Sequence, residues 1–145
     1  MQAVDTNILV YADRAEAPQH VTAFKVLREL ATGPDPWILP WPCIYEFLRV
    51  VTHPTLFCPP TPVDEAWESV TGLLASPSLL VIAEGESHSR ILGDLLRLSG
   101  ATGNLLYDAH IAALLIEHGV DEIITADEDF RRFPGLKVTN PFRPR

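Results

Sequence analysis

The sequence predicts an α/β protein whose central sheet is mostly parallel and is covered by helices on both sides. Short apolar runs that suit buried strands alternate along the chain with longer segments of helical spacing. This order favours right-handed strand–helix–strand crossovers, which pack helices on both faces of a parallel sheet. The chain has 145 residues without a repeat or a linker, which is enough for one hydrophobic core. We therefore expect one domain over residues 1–145, built as an α/β/α sandwich.

The amino-terminal part predicts a strand, a polar triplet and two helices. The apolar run before Asp5 is too short for a helix and suits a buried strand, and a helix follows Asn7. The spacing over residues 21–30 predicts a second helix, which the turn-forming run TGPDP ends. The expected apolar side of this second helix consists of Val21, Phe24, Val26, Leu27 and Leu30.

The middle of the chain predicts a strand, a stiff loop and two further helices. Residues 37–39 suit a strand, and Pro42 suits the first turn of a helix that runs to about residue 53, before Pro54. The run TLFCPPTP is a loop, and an amphipathic helix follows it over residues 63–76. The residues of this helix that we expect to face the core are Val63, Ala66, Trp67, Val70, Leu73 and Leu74.

The carboxyl-terminal part predicts two helices and three strands with clear end signals. Gly100 and Gly119 each suit the end of a helix, and the side chain of Asn104 can cap the start of one. Thr125 and Glu128 have the spacing of a capping box. The predicted elements are a buried strand over 78–84, a helix over 87–100, a helix over 104–119, and strands over 122–125 and 136–138.

Four carboxylates stand where folding alone gives only part of the explanation. Asp5 follows a strand and could merely cap the next helix. Asp108 shares an apolar helix face, where an unpaired charge is costly, but it could merely complement the helix dipole. Glu46 is flanked by apolar surface, although an ion pair with Arg49 would also account for it. Asp127 follows a strand, and the capping box does not account for it.

In the predicted architecture these four acids can converge at the edge of the sheet where the strands end. Four carboxylates within a few ångströms of one another repel strongly unless cations lie between them. Oxygen ligands of this kind suit Mg²⁺ or Mn²⁺ rather than zinc. Such ions lower the pKa of a bound water and stabilise the leaving oxygen of a phosphodiester, so the acids indicate metal-dependent hydrolysis.

Charge and composition limit the classes of function. The net charge of −8 argues, taken alone, against a nucleic-acid partner, although divalent cations in an acidic pocket would invert the local sign. The last fifteen residues hold no acid and could form either a basic surface or a solvated tail; their basic residues are Arg131, Arg132, Lys137, Arg143 and Arg145. Cys43 and Cys58 lie in no zinc spacing and are expected to be reduced residues of the core. No apolar run is long enough to span a bilayer and no leader is recognisable, so we expect a cytoplasmic protein.

Four motifs, in their order and spacing, resemble the acidic motifs of PIN-domain ribonucleases, specifically the VapC toxins of bacterial toxin–antitoxin pairs. The motifs are VDTNILVYA at 4–12, YEFLRVVTHP at 45–54, NLLYDAHIAALLIEHG at 104–119 and TADEDF at 125–130. The resemblance covers nearly the whole chain and implies a PIN-like domain that acts as a metal-dependent endoribonuclease. It also implies a cognate antitoxin that masks the active site, a homodimer, and RNA products with 3′-hydroxyl and 5′-phosphate ends.

By the same resemblance, an acidic quartet is expected to be catalytic and to hold Mg²⁺ or Mn²⁺. Its members in this chain are Asp5, Glu46, Asp108 and Asp127. Asp129 is a further expected metal ligand, because its counterpart holds metal in some relatives. In other relatives that counterpart only orients the site. Asn7 and Thr125 are expected to support the water at the metal.

The candidate RNA contacts are basic residues near the motifs. Arg131 and Arg132 follow Asp129 closely, and Arg14 lies some way beyond Asp5. Arginine side chains at such places can bind phosphate groups. Ordinary solvation of helix ends and loops explains them equally well.

Three alternatives compete with this interpretation. A dehalogenase-type phosphatase needs an aspartate two residues after its nucleophile, where this chain has Asn7, and a phosphotransfer receiver needs a central lysine that is missing here. A metal-free ribonuclease needs paired histidines, and nothing in the sequence pairs the five present; His88, for example, is expected on the surface. The third alternative, a non-catalytic metal-containing module of PIN fold that binds RNA or protein, stays open on the sequence.

Overall fold

The computed structural model describes residues 1–144, and Arg145 of the basic tail lies outside the described residues. Its strands are β1 (Gln2–Val4), β2 (Trp37–Pro40), β3 (Leu79–Ile82), β4 (Glu122–Ile124) and β5 (Lys137–Thr139). They form one sheet in the order β3-β2-β1-β4-β5, in which every neighbouring pair is parallel. The predicted parallel α/β sheet is confirmed.

Six α-helices and one 3₁₀ turn connect these strands within residues 1–144. The helices are α1 (Thr6–Asp13), α2 (His20–Thr32), α3 (Trp41–Val51), α4 (Val63–Leu74), α5 (His88–Ser99) and α6 (Leu105–Glu117). The 3₁₀ turn spans Glu128–Arg132 between β4 and β5. None of the helices in this part of the chain is long and apolar enough to cross a membrane.

The strand order determines where the helices lie. From β1 the chain moves outward through β2 to β3, so right-handed crossovers place α1 to α4 on one face of the sheet. It then returns across the sheet to β4 and β5, so α5, α6 and the 3₁₀ turn belong to the other face. The helix packing agrees, since α1 contacts α2 and α3, whereas α6 contacts α5 and the 3₁₀ turn.

The direction of the crossovers reverses between β1 and β4, and this reversal places polar residues side by side. Val4 pairs with Ile124 at the carboxyl ends of the two strands, and the Asp5 N–H donates to the Ile124 carbonyl at 3.1 Å. Asp5 and Thr125 therefore leave the sheet next to each other. In open α/β sheets such a switch point forms a crevice beyond the strand ends.

The positions of the strands agree with the prediction, but the buried faces of two helices are narrower than predicted. Val21 and Phe24 of α2 are 76% and 52% exposed, and Val63 and Trp67 of α4 are 68% and 46% exposed. The prediction that these residues face the core was wrong, because α2 and α4 bury only narrow stripes. The strand β3 was also expected to be buried, yet Leu80 is half exposed because β3 lies at the edge of the sheet.

Two local predictions at side chains also need correction. The Asn104 side chain makes no capping hydrogen bond, because the residue itself has helical backbone angles. Cys43 and Cys58 are both free cysteines, but only Cys43 is buried, whereas Cys58 lies exposed in the loop before α4.

Candidate active site

Asp5 is the most enclosed acid at the switch point, and it is held by a set of donors. Its side chain caps α1, accepting from the Thr6 N–H at 2.7 Å through Oδ1. Its Oδ2 accepts from Thr125 Oγ1 at 2.7 Å and from Asn7 Nδ2 at 3.0 Å. Both oxygens are thus fixed in direction, and the residue is only 6% exposed. Capping explains the contact of Oδ1, whereas Oδ2 is held by Asn7 of α1 and by Thr125 at the end of the neighbouring strand β4.

Thr125 joins the ends of β1 and β4, and the predicted capping box is not formed. Besides donating to Asp5, its hydroxyl accepts from Asn7 Nδ2 at 2.9 Å and from the Asp127 N–H at 2.9 Å. Asn7 completes the link by accepting the Ala126 N–H at 3.0 Å. The capping role passes to Asp127, which accepts the Asp129 N–H at 2.8 Å. The prediction failed because Thr125 is fully buried and its hydroxyl faces Asp5.

The four predicted acids line one pocket of about 220 Å³. Glu46 reaches it from α3 and accepts from Thr6 Oγ1 at 3.1 Å, while Asp108 reaches it from the first turn of α6. The predicted Glu46–Arg49 contact is present, but at 4.0 Å between exposed or half-exposed side chains it is weak. Within the described part of the chain, no lysine or arginine lines this pocket.

Three of the acids lie especially close together. Asp108, Asp127 and Asp129 each offer a carboxylate oxygen, and these oxygens lie within 4.8 Å of one another. Asp129 is exposed at the rim, and its nearest basic contact is the Arg132 Nε at 3.7 Å. Carboxylate oxygens grouped in this way have the donor chemistry that Mg²⁺ and Mn²⁺ require.

The pKa values of two acids in the pocket are raised. Burial raises the pKa of Asp5 to about 6; the hydrogen bonds from Thr125 and Thr6 oppose the rise, and the charges of Glu46 and Asp127 add to it. Desolvation, together with the negative charges of its four acidic neighbours, raises the pKa of Asp108 to about 7. Burial, and to a smaller extent the neighbouring negative charges, therefore make ionisation of these acids unfavourable, and a divalent cation would offset that cost. The residues present fit such an ion.

The three candidate RNA contacts differ in their surroundings. Arg14 is nearly enclosed: its guanidinium donates to Thr61 Oγ1 and the Pro59 carbonyl, and it lies 4.5 Å from the centre of the Phe57 ring. This arginine holds the loop before α4. Arg131 and Arg132 are exposed and pair with Glu128 and Asp129 of their own turn.

Sequence reasoning missed a polar cluster that joins α6 to the segment between β3 and α5. His110 Nε2 lies 2.6 Å from Glu84 Oε1, and the two N–H groups of Gly85 and Ser87 donate to Glu117. His88, expected on the surface, has a side chain only 13% exposed, packed against His110 and Glu117. These contacts tie the loop before α5 to α6. The available signal was the seven-residue spacing of His110 and Glu117 on one helix face.

Thr125 gives a stability prediction that needs no assumption about function. Thr125→Val keeps the shape but removes the hydroxyl, which leaves the Asp127 N–H and Asn7 Nδ2 with one partner fewer. We expect the free energy of unfolding to fall by about 1–3 kcal/mol, measured by urea denaturation. Thr71→Val on the exposed surface of α4 is the matched control and should change it by less than about 0.5 kcal/mol. Equal stability of the two variants would contradict the role assigned to the Thr125 hydroxyl.

Comparisons with known proteins identify one family, and solved structures share the fold of this chain. The PIN domain family matches residues 3–136. The VapC ribonuclease Mb2897 of Mycobacterium bovis is 37% identical over 141 residues, covering 97% of this chain and 95% of the relative. The solved structure of VapBC2 from Rickettsia felis, bound to a promoter DNA fragment, superposes with a TM-score of 0.69 at 21% identity, covering 96% of this chain and 97% of its own. A toxin-antitoxin complex from Klebsiella pneumoniae gives a TM-score of 0.64 at 18% identity, with coverage of 99% and 100%.

Proposed function

Because the chain belongs to the PIN-domain family, we propose that it is a metal-dependent endoribonuclease toxin of a toxin–antitoxin pair. We extend the domain to the whole chain, residues 1–145. The observation that carries the proposal is a pocket in which carboxylates from four separate segments meet, with no lysine or arginine among its described lining residues. The relative named as a ribonuclease, which aligns over nearly the whole chain, supports RNA as the substrate.

The proposed cofactor is Mg²⁺, with Mn²⁺ as the alternative ion. The residues that would hold it are Asp5, Glu46, Asp108, Asp127 and Asp129. The grouping of three of these acids and the raised pKa values of Asp5 and Asp108 support a cation there. When bound, the ion neutralises the carboxylates, lowers the pKa of water and stabilises charge on the phosphate.

The proposed catalytic residues are Asp5, Glu46, Asp108 and Asp127. Asn7 and Thr125 are proposed as supports, because both donate to Asp5 Oδ2 and so fix its direction. In the hydrolysis, the oxygen of water forms a bond to phosphorus while the bond from phosphorus to the 3′-oxygen breaks. The water gives up one proton in this step and the leaving 3′-oxygen takes one up and becomes a hydroxyl, so the phosphate stays on the 5′ end of the other fragment.

The proposed RNA contacts outside the pocket are Arg131 and Arg132. Both guanidinium groups are exposed on the turn that follows Asp127. An RNA strand that enters the acid pocket would pass close to this turn. Arg14 is the weaker candidate, because its guanidinium already bonds the loop before α4.

The proposed partners are a cognate antitoxin protein and a second copy of this chain. Solved toxin–antitoxin assemblies share the fold of this chain, which supports an antitoxin that covers the acid pocket. Light scattering of the purified chain, alone and with its coexpressed antitoxin, measures both assemblies.

The experiment that tests the function is cleavage of total RNA by the purified chain with Mg²⁺ or Mn²⁺, followed by mapping of the product ends. We expect cuts that leave 5′-phosphates. We expect cleavage to stop when EDTA is in excess, because the proposed chemistry needs a divalent cation to lower the pKa of water and to offset the negative charge of the acids. Cleavage that continues undiminished in EDTA, or 2′,3′-cyclic phosphate ends, would overturn the proposed chemistry. RNA binding without cleavage in either metal would favour a non-catalytic binding module.

A further inference from the structure

Three aromatic side chains stand around a second, larger cleft between α3 and α6, which we call the aromatic cleft. Trp41 and Tyr45 lie one turn apart on α3, with ring centres 6.0 Å apart, and Tyr107 lies opposite in the first turn of α6. Tyr45 is 69% exposed and Tyr107 is 70% exposed, so neither contributes its ring to the core. The two tyrosine rings are therefore free to contact a ligand, whereas Trp41 is partly buried against the core and lines the cleft with its remaining surface.

The aromatic cleft adjoins the acid pocket. Glu46 lines both, and Tyr45 and Tyr107 each immediately precede a pocket acid, Glu46 and Asp108 respectively. The aromatic cleft has a volume of about 750 Å³, against about 220 Å³ for the acid pocket. A phosphodiester bound at the acids carries a nucleotide on each side, and those nucleotides need space that the smaller pocket lacks. The aromatic cleft offers that space.

The charge of the cleft determines which part of a nucleotide it can bind. Among its described lining residues Arg49 is the only one with a fixed positive charge, and Glu46 and Glu84 oppose it. The whole chain has a net charge of −8, so long-range attraction to phosphates is weak. Stacking of bases on aromatic rings needs no net charge and tolerates any base. We propose that Trp41, Tyr45 and Tyr107 bind unpaired nucleobases next to the phosphate that is cut.

This inference rests on the proposed function and narrows its substrate to RNA whose bases are unpaired at the cut. Bases held in a duplex present only their edges, whereas stacking on a side chain needs a base face that has left the helix. The cleft would thus select loops, bulges and single strands. A side chain that stacks acts on affinity, so it is a positioning residue and not a catalytic one.

The test measures binding of a labelled single-stranded RNA of about ten nucleotides by fluorescence anisotropy, with Asp108→Asn added to every protein to block cleavage. We expect Tyr45→Ala and Tyr107→Ala each to weaken binding roughly tenfold. Tyr45→Phe, which keeps the ring, should bind as tightly as tyrosine. Trp67→Ala removes an exposed aromatic ring on α4, outside the cleft, and should leave binding unchanged.

Two further measurements separate stacking from other roles. Removing a ring should leave the slope of log affinity against log salt unchanged, whereas a phosphate contact would change that slope. Binding of an RNA duplex of the same length should not respond to the tyrosine changes. Light scattering of each variant shows whether the rings instead form the contact with a second copy of the chain.

The inference is overturned if Tyr45→Ala and Tyr107→Ala bind single strands as tightly as their parent, if they weaken duplex binding equally, or if they turn a dimer into a monomer. These outcomes are independent of the nuclease test. If the chain cleaves RNA but removal of the rings does not change RNA binding, the nuclease function stands and the stacking proposal is rejected. If RNA binding depends on the rings but the chain never cuts RNA, the stacking proposal stands and the nuclease function is rejected.

Discussion

Asp108→Asn is expected to lower the rate of RNA cleavage by roughly 10²–10⁴-fold while the protein stays folded. Asparagine keeps the size of the side chain but removes the negative charge and one oxygen that can hold a cation. The Asp108 side chain makes no hydrogen bond to the described residues, so the substitution breaks no side-chain contact on which the fold depends. It also removes one of the charges that crowd the pocket, which favours the folded state in the absence of metal. The measurement is the cleavage rate of total RNA under saturating Mn²⁺.

The matched control is Asp94→Asn, which makes the same chemical change on the exposed surface of α5, where Asp94 pairs only with Arg97. Its cleavage rate should equal that of the unchanged chain. Asp129→Asn should fall between the two variants, because Asp129 sits at the exposed rim of the acid cluster. Full activity in Asp108→Asn would remove the acid pocket from the mechanism. Equal losses in Asp94→Asn and Asp108→Asn would point to a general effect of charge.

The convergence of the four acids was predictable because it follows from two simple rules. Strand ends and crossover handedness bring Asp5 and Asp127 to one edge of the sheet, whatever the side chains around them do. Helical spacing then directs Glu46 and Asp108 inward from neighbouring helices. Neither rule needs knowledge of distant contacts.

The features that sequence reasoning missed all depend on such distant contacts. The spacing of Thr125 and Glu128 fits a local cap, but the Thr125 hydroxyl faces Asp5, 120 residues away in the chain. Val21 and Phe24 have helical spacing typical of a core face, yet none of the described helices and strands covers these two side chains of α2. The exposure of Tyr45 and Tyr107 likewise depends on how α3 and α6 are placed, which periodicity does not specify.

The same acids should make the metal-free protein less stable as the pH rises from 5 to 8. Unfolded aspartates titrate near pH 3.8, but in the folded chain the pKa of Asp5 is about 6 and that of Asp108 about 7. The folded state therefore binds protons more tightly than the unfolded state. This contribution to stability is fully present below pH 3.8 and is lost as the pH rises through 6 and 7.

For Asp5 the loss over the whole range from below pH 3.8 to pH 8 has an upper value of about 3 kcal/mol, since one pKa unit corresponds to about 1.4 kcal/mol, and about half of it falls between pH 5 and pH 8. Asp108 adds less than its shift suggests, because it is half exposed and water screens its charge. The pKa values of Glu84, Glu122 and Glu128 are lowered in the folded chain, so these residues make the protein more stable as the pH rises. That gain occurs near and below their ordinary pKa of 4.5, which lies outside the range from pH 5 to pH 8. Between pH 5 and pH 8 the two aspartates therefore set the sign.

Urea denaturation in EDTA at pH 5 and pH 8 measures this effect, with Asp108→Asn and Asp94→Asn in parallel. We expect Asp108→Asn to show a smaller loss between the two pH values and to exceed the unchanged chain in stability at pH 8. Added Mn²⁺ should stabilise the unchanged chain more at pH 8 than at pH 5, because the ion binds ionised carboxylates and competes with protons for them. If Mn²⁺ stabilised the chain equally at both pH values, it would not be binding at Asp5 and Asp108. The raised pKa values would then reflect burial alone, with no cation site behind them.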